Sequence, residues 1–122
     1  MRYEARVVPG RGEGRKLGFP TMNLELPPGF AEAYAHGVYA GLAWPDGPDA
    51  GPRKAAIHYG PVPTFRVASP TLEVHVLDAD IPQAPPTLAF ELVKRLRDIE
   101  DFQGPDALAA QIAKDIEAAR KV

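Results

Sequence analysis

A hydroxyl and an amide stand two residues apart at the start of an alternating stretch, directly after a loop rich in glycine and basic residues. The stretch GRKLGFPTMNL runs from position 14 to 24 and contains Thr21 and Asn23. On a strand, both side chains would leave the same face. Their neutral oxygens suit a hard cation such as Mg²⁺, which few protein ligands and substrate phosphates usually hold. The alternative is that both residues cap the turn through local backbone hydrogen bonds.

The preceding loop has the composition of a phosphate-binding segment. Positions 9–20 contain four glycines, so backbone N–H groups there can converge on an anion, and Arg11, Arg15 and Lys16 add positive charge. The loop lacks the Gly-Lys-Ser/Thr ending of a Walker motif, and it does not open a helix as a dinucleotide fingerprint would. The alternative is a glycine-rich hairpin with solvated basic side chains.

A second group of polar residues lies on a predicted strand at positions 71–78. Its apolar positions alternate and should face the core: they are Leu72, Val74 and Val76. That parity sends Glu73 and His75 to the opposite face together. Glu73 on a rigid strand could act as a general base. The alternatives are a solvated carboxylate on an outward face and a structural role for His75.

The remaining periodicities predict a mainly antiparallel β domain that ends in one helix. The helix begins at Pro105, and Leu108, Ile112 and Ile116 recur on its inner face. The segment 27–36 is expected to be irregular, and closing the strands into a barrel would remove exposed edges. Strands are predicted at positions 2–8, 21–26, 37–44, 53–59, 71–78 and 87–97.

Length and composition exclude several classes of protein. The 122 residues predict one domain over 1–122, and the absence of cysteine excludes disulfides and thiolate chemistry. A net charge of −2 argues against nucleic-acid binding. MRYEARVV lacks the apolar core of a signal peptide, and no apolar run has the length of a membrane span. We expect a cytoplasmic monomer that binds neither nucleic acid nor membrane.

Taken in order, five segments resemble the riboflavin kinase (flavokinase) domain. VVPGRGEGRKLGFPTMNL resembles the family's Gly-rich loop and Pro-Thr-Ala-Asn signature, with Met22 in place of alanine. The other segments follow at family-like spacing: GVYAG at 37–41, PTF at 63–65, LEVHVLD at 72–78 and an Arg-Leu-Arg…Phe pattern at 95–102. Each segment is weak alone, but the ordered set covers nearly the whole chain.

The resemblance implies a six-stranded antiparallel Greek-key barrel with a C-terminal α-helix. It also implies transfer of the ATP γ-phosphoryl group to the 5′-hydroxyl of riboflavin, giving FMN and ADP, with Mg²⁺ accompanying ATP. By position, Thr21 and Asn23 would hold Mg²⁺ and the phosphates, and Glu73 would accept the hydroxyl proton. Arg97 and Phe102 would help to hold the flavin. The residues implied to wrap the phosphates are Gly10, Gly12, Gly14 and Arg15.

Some positions depart from the family pattern. His58 stands where the family usually has asparagine, and Pro61 and Val62 replace more usual polar residues. Ala84 and Pro85 stand where a Tyr-Gly pair is common after the strand that carries Glu73. A second hypothesis is therefore a flavin- or nucleotide-binding module of the same fold with little turnover and a regulatory or interaction role. FAD synthesis by this chain is not expected.

Overall fold

The computed structural model describes residues 1–10 and 13–122. Within them, six strands and three α-helices alternate with short turns, and a 3-10 turn spans Pro63–Phe65. None of the described helices is long and apolar enough to cross a membrane. The strands are β1 Arg2–Val8, β2 Met22–Leu24, β3 Gly37–Trp44, β4 Arg53–Val62, β5 Val67–Val76 and β6 Thr87–Arg97. The helices are α1 Glu13–Lys16, α2 Phe30–Ala33 and α3 Pro105–Arg120.

The strands close into a barrel in the order β1-β2-β5-β4-β3-β6, and every pairing is antiparallel. β3, β4 and β5 form consecutive hairpins, and β6 returns to lie beside β3, which is a Greek key. The predicted antiparallel Greek-key barrel with a C-terminal helix is thus confirmed. Closure leaves none of the six described strands with an open edge.

The barrel interior is apolar because one face of each strand carries apolar side chains. Leu72, Val74 and Val76 on β5 are at most 4% exposed, as their alternation predicts. On the outside, α3 packs against β3 and β4, and its Ile116 joins a smaller apolar cluster with Ala40. Glu73 and His75 therefore face outward, toward α3 and the loops, rather than into the barrel.

Two short helices were not predicted. The segment 27–36 contains α2, because Phe30 is fully buried and packs edge-on against the rings of Tyr3 and Tyr59. This burial depends on distant residues, so local periodicity could not show it. The loop at 9–20 likewise contains α1 and is not irregular throughout.

The boundaries of three predicted strands were also wrong. β4 continues through Pro61 to Val62, because a register shift after Gly60 forms a bulge that tolerates proline. β5 begins at Val67 and β2 begins at Met22, so Thr21 lies just before the strand and not on it. The residues of interest nevertheless meet on one face, as described next.

Candidate functional site

A cavity of about 130 Å³ lies between the outer face of β4 and β5, the 3-10 turn and α3. Its walls are largely apolar, and a few polar side chains enter it from the strands. The apolar residues include Val38, Val62, Val67, Leu108 and Ile112. The polar residues include Thr21, Asn23, His58, Thr71, Glu73 and Arg97. Apolar walls with a few convergent polar groups are typical of a small-molecule site.

Glu73 is held at the centre of this face by hydrogen bonds to both carboxylate oxygens. The Thr21 hydroxyl lies 3.3 Å from Oε1, and the Thr71 hydroxyl lies 3.0 Å from Oε2. In the sheet, Glu73 on β5 lies directly opposite Asn23 of β2 on one side and His58 of β4 on the other. The two threonines therefore fix the carboxylate, which can accept a proton from a hydroxyl group in the cavity.

A second, polar cavity of about 200 Å³ adjoins the first. Its lining residues are Gly10, Arg15, Thr21 and Asn23. Because Thr21 and Asn23 line both cavities, their side chains separate an apolar compartment from a polar one. Gly14 lies in α1, and Gly12 lies outside the described residues.

Gly10 is required here by close packing. A Cβ atom at this position would lie 1.8 Å from Asn23 Nδ2, far inside van der Waals contact. The backbone at Gly10 therefore passes directly over the Asn23 amide. This brings the Gly10 backbone and the Asn23 side-chain amide to the same point, which suits phosphate and a hard cation.

No group of three or more acidic or histidine side chains that could hold a metal was found among residues 1–10 and 13–122. The donor set beside the polar cavity consists instead of one hydroxyl and one amide oxygen, from Thr21 and Asn23. Such a set fits Mg²⁺, which keeps several waters and takes its remaining ligands from substrate phosphates.

Arg97 and Phe102 line the apolar cavity from the side of α3. The Arg97 Nε and Nη2 groups donate to the two Asp115 oxygens at 2.9 and 2.8 Å, and Nη1 donates to the Asp98 carbonyl at 2.9 Å. The guanidinium lies 5.5 Å from the centre of the Phe102 ring. Three Arg97 nitrogens therefore donate hydrogen bonds within the protein, and the guanidinium carbon lies over the Phe102 ring.

The two histidines on this face bond to backbone carbonyls. His75 Nδ1 lies 2.8 Å from the Pro20 carbonyl oxygen, and the ring meets Phe19 edge-on at 6.1 Å. Because a carbonyl only accepts, Nδ1 carries the hydrogen. His75 therefore holds the loop next to Thr21, a role that the sequence did not assign.

His58 lies in register with Glu73, and its Nε2 is 2.9 Å from the Gly60 carbonyl oxygen. Burial lowers the pKa of His58 below its ordinary value, and the positive charge of Arg97 lowers it further. The carboxylate of Glu73 and the carbonyl of Gly60 act in the opposite direction. The ring is therefore neutral near neutral pH, with its hydrogen on Nε2.

Two residues of the site were missed from the sequence, Thr71 and Asp115. Thr71 is two positions before Glu73 on a strand. Because alternate residues of a strand face the same side, the sequence already implied that the two share a face. Asp115 stands among the apolar positions of α3, and it is 5% exposed. An acidic residue at a buried helix position signals a partner elsewhere in the chain, although not which one.

Comparison with known proteins agrees with the geometry. The family model "Flavokinase: Riboflavin kinase" matches residues 1–122. The bifunctional riboflavin kinase/FMN adenylyltransferase of Escherichia coli K12 is 36% identical over 116 residues, which are 95% of this chain and 36% of that protein. Its Bacillus subtilis counterpart is 32% identical over 112 residues, covering 89% and 34%. The chain thus spans about a third of the length of these relatives.

Solved structures share the fold. Riboflavin kinase from Trypanosoma brucei superposes with a TM-score of 0.65 at 21% identity, covering 98% of this chain and 77% of the other. A structure titled macrolide-efflux protein, from Streptococcus pneumoniae, gives a TM-score of 0.77 at 26% identity, covering 99% and 38%. With the match of the family model along its whole length, this chain belongs to the riboflavin kinase (flavokinase) family.

Proposed function

We propose that this protein transfers the γ-phosphoryl group of ATP to the 5′-hydroxyl of riboflavin, giving FMN and ADP. One observation carries the proposal: a single carboxylate, held on both oxygens, lies on a face where an apolar cavity adjoins a polar one. The apolar cavity suits a planar aromatic ring system, and the polar cavity suits phosphates. The family membership supports the same reaction.

In this proposal Glu73 accepts the proton of the flavin 5′-hydroxyl. The hydroxyl oxygen forms a bond to the γ-phosphorus, the bond from that phosphorus to the bridging oxygen breaks, and ADP leaves with the electron pair. Phosphoryl transfer depends chiefly on positioning and charge stabilisation, with one base to orient the nucleophile. The hydrogen bonds from Thr21 and Thr71 hold that base in one orientation.

The nucleotide phosphates would occupy the polar cavity. We assign Gly10 and Arg15, which line it, to phosphate binding, and we extend this assignment to Gly14 in α1 and to Gly12. Thr21 and Asn23 would hold Mg²⁺, which when bound neutralises phosphate charge. Arg15 is exposed and would reach the phosphates as a mobile cation.

The flavin ring would occupy the apolar cavity. Phe102 offers an aromatic face, and its N–H group donates to the Thr64 hydroxyl at 3.0 Å, which joins it to the 3-10 turn. Arg97 would act mainly by orienting Phe102 and by fixing α3 through Asp115.

We further propose that residues 1–122 act as a single domain, as a cytoplasmic monomer with small-molecule substrates and no nucleic-acid or membrane partner. The absence of cysteine is compatible with a reducing cytoplasm, and the net charge of −2 argues against nucleic-acid binding.

The test is a direct assay of purified protein with riboflavin, ATP and Mg²⁺, in which chromatography separates riboflavin from FMN. Formation of FMN that requires Mg²⁺ and is lost in Glu73→Gln is the expected result. Thermal stabilisation by Mg-ADP without FMN formation would instead support a binding module of the same fold. The departure at His58 is the observation that favours that alternative. The hydrogen-bonded Glu73 weighs against it.

A further inference from the structure

The Gly60 carbonyl lies where two side chains of the apolar cavity meet. Gly60 is buried, has a φ of 138° and lies directly before the bulge in β4. Its carbonyl oxygen lies 2.9 Å from His58 Nε2 and 3.3 Å from the Thr71 hydroxyl oxygen. A side chain at position 60 would strain this backbone conformation and crowd His36 and Ile99 at 3.1 Å. Bulges commonly re-aim groups beside active sites.

The Thr71 hydroxyl has one hydrogen and two acceptors within reach. Glu73 Oε2 lies at 3.0 Å and the Gly60 carbonyl oxygen at 3.3 Å. A hydroxyl donates only once, so a bond to Gly60 is made at the expense of Glu73. Another donor that takes up a lone pair of the Gly60 carbonyl therefore favours the bond from Thr71 to the carboxylate.

His58 provides that other route. Its Nε2 must carry the hydrogen, because the Gly60 carbonyl can only accept. Without this bond the Gly60 carbonyl would have a lone pair free to draw the Thr71 hydrogen away from Glu73. The lowered pKa of His58 is consistent with a neutral ring that has one hydrogen, among the charged side chains Glu73 of β5 and Arg97 of β6.

We propose that His58 is a positioning residue for Glu73: by donating to the Gly60 carbonyl it commits the single Thr71 hydroxyl hydrogen to the Glu73 carboxylate. The proposal rests on the kinase function proposed above. It gives a role to the departure from the family's usual asparagine, since an asparagine amide can also donate to a carbonyl. On this view the site retains the donor and changes only the side chain that supplies it.

The test is a double-mutant cycle with His58→Leu, Thr71→Val and both together, measured as kcat at saturating ATP and riboflavin. Each single substitution removes the same charge-assisted hydrogen bond to Glu73, so each should lower kcat by about 10-fold. Because both changes act on one bond, the double variant should also lose about 10-fold and not about 100-fold. KM for ATP and thermal stabilisation by Mg-ADP should stay close to those of the unchanged protein.

His58→Asn is the matched control, since it restores a donor to Gly60 and should recover most of kcat. Multiplicative losses in the double variant, or His58→Asn as slow as His58→Leu, would overturn the proposal. A second readout does not require turnover: the Glu73 side-chain ¹³Cδ resonance should move alike in His58→Leu and Thr71→Val and stay in place in His58→Asn. If the unchanged protein makes no FMN, the proposed function fails, and this resonance alone decides the role of His58.

Discussion

Arg97 and Asp115 form a two-point ion pair that joins the end of β6 to the middle of α3. The Nε–Oδ1 and Nη2–Oδ2 distances are 2.9 and 2.8 Å, and the two side chains are 15% and 6% exposed. Gln111 adds a hydrogen bond of 3.0 Å to the same carboxylate. Since Leu108 and Ile112 of α3 line the apolar cavity, this ion pair positions one cavity wall.

Asp115→Ala should destabilise the fold and weaken flavin binding. The substitution leaves a mostly buried guanidinium without its partner, which typically costs about 3–5 kcal/mol of unfolding free energy. Urea unfolding measures this loss, and the adjacent exposed Lys114→Ala should change stability by less than about 0.5 kcal/mol. Riboflavin affinity should fall more than Mg-ADP affinity, because α3 lines only the apolar cavity. Equal losses for both ligands would contradict the assignment of α3 to the flavin side.

Glu73→Gln should abolish most phosphoryl transfer while leaving the fold and nucleotide binding nearly intact. Glutamine keeps the shape and still accepts a hydrogen bond, but it cannot take the proton, and a general base usually contributes about 10²–10⁴-fold to the rate. The measurement is FMN formation at saturating substrates. Glu4→Gln, at an exposed position on β1, is the matched control and should retain full activity. Full activity in Glu73→Gln would remove this carboxylate from the mechanism.

Gly10→Ala should weaken binding of Mg-ATP more than binding of riboflavin. The added methyl group would lie 1.8 Å from Asn23 Nδ2, so the amide must leave its place in the polar cavity. We expect KM for ATP to rise by at least about 10-fold, the effect of losing roughly one good ligand. Gly51→Ala is the control, because a Cβ atom there meets open space. An unchanged dependence on Mg²⁺ and ATP would show that Asn23 does not hold the metal or the phosphates.

The sequence predicted the parts of the site that depend on local periodicity. Alternation along β5 placed Glu73 and His75 together on the outer face and Val74 in the core, because strand parity needs no knowledge of the partner strands. The same parity would have included Thr71, the second hydrogen-bond donor to Glu73.

The features that were missed depend on contacts between distant residues. Arg97 and Asp115 are 18 positions apart, and neither periodicity nor spacing marks them as partners. Phe30 forms α2 because it is buried against rings from other strands. The bulge after Gly60 arises from the register between β4 and β5, which a single strand does not specify. Tertiary packing decides such features, and local sequence does not encode them alone.

His58 should make the stability of the fold depend on pH in the acid range. Its pKa in the folded protein lies below the ordinary value of 6.5, chiefly because burial penalises the charged ring. Below pH 6.5 the unfolded chain therefore binds this proton more readily than the folded chain does, so unfolding free energy falls as pH decreases.

The measurement is the urea midpoint at about pH 7.5 and at about pH 5.5, for the unchanged protein and for His58→Asn. Comparing the two proteins separates the contribution of His58 from that of the carboxylates. Asparagine does not titrate, so the loss of stability on acidification should be smaller in His58→Asn. An equal loss in both proteins would mean that His58 is protonated as easily in the folded chain as in the unfolded chain. At about pH 5.5 the ring would then carry a charge beside Glu73, and the lowering of its pKa by burial would be wrong.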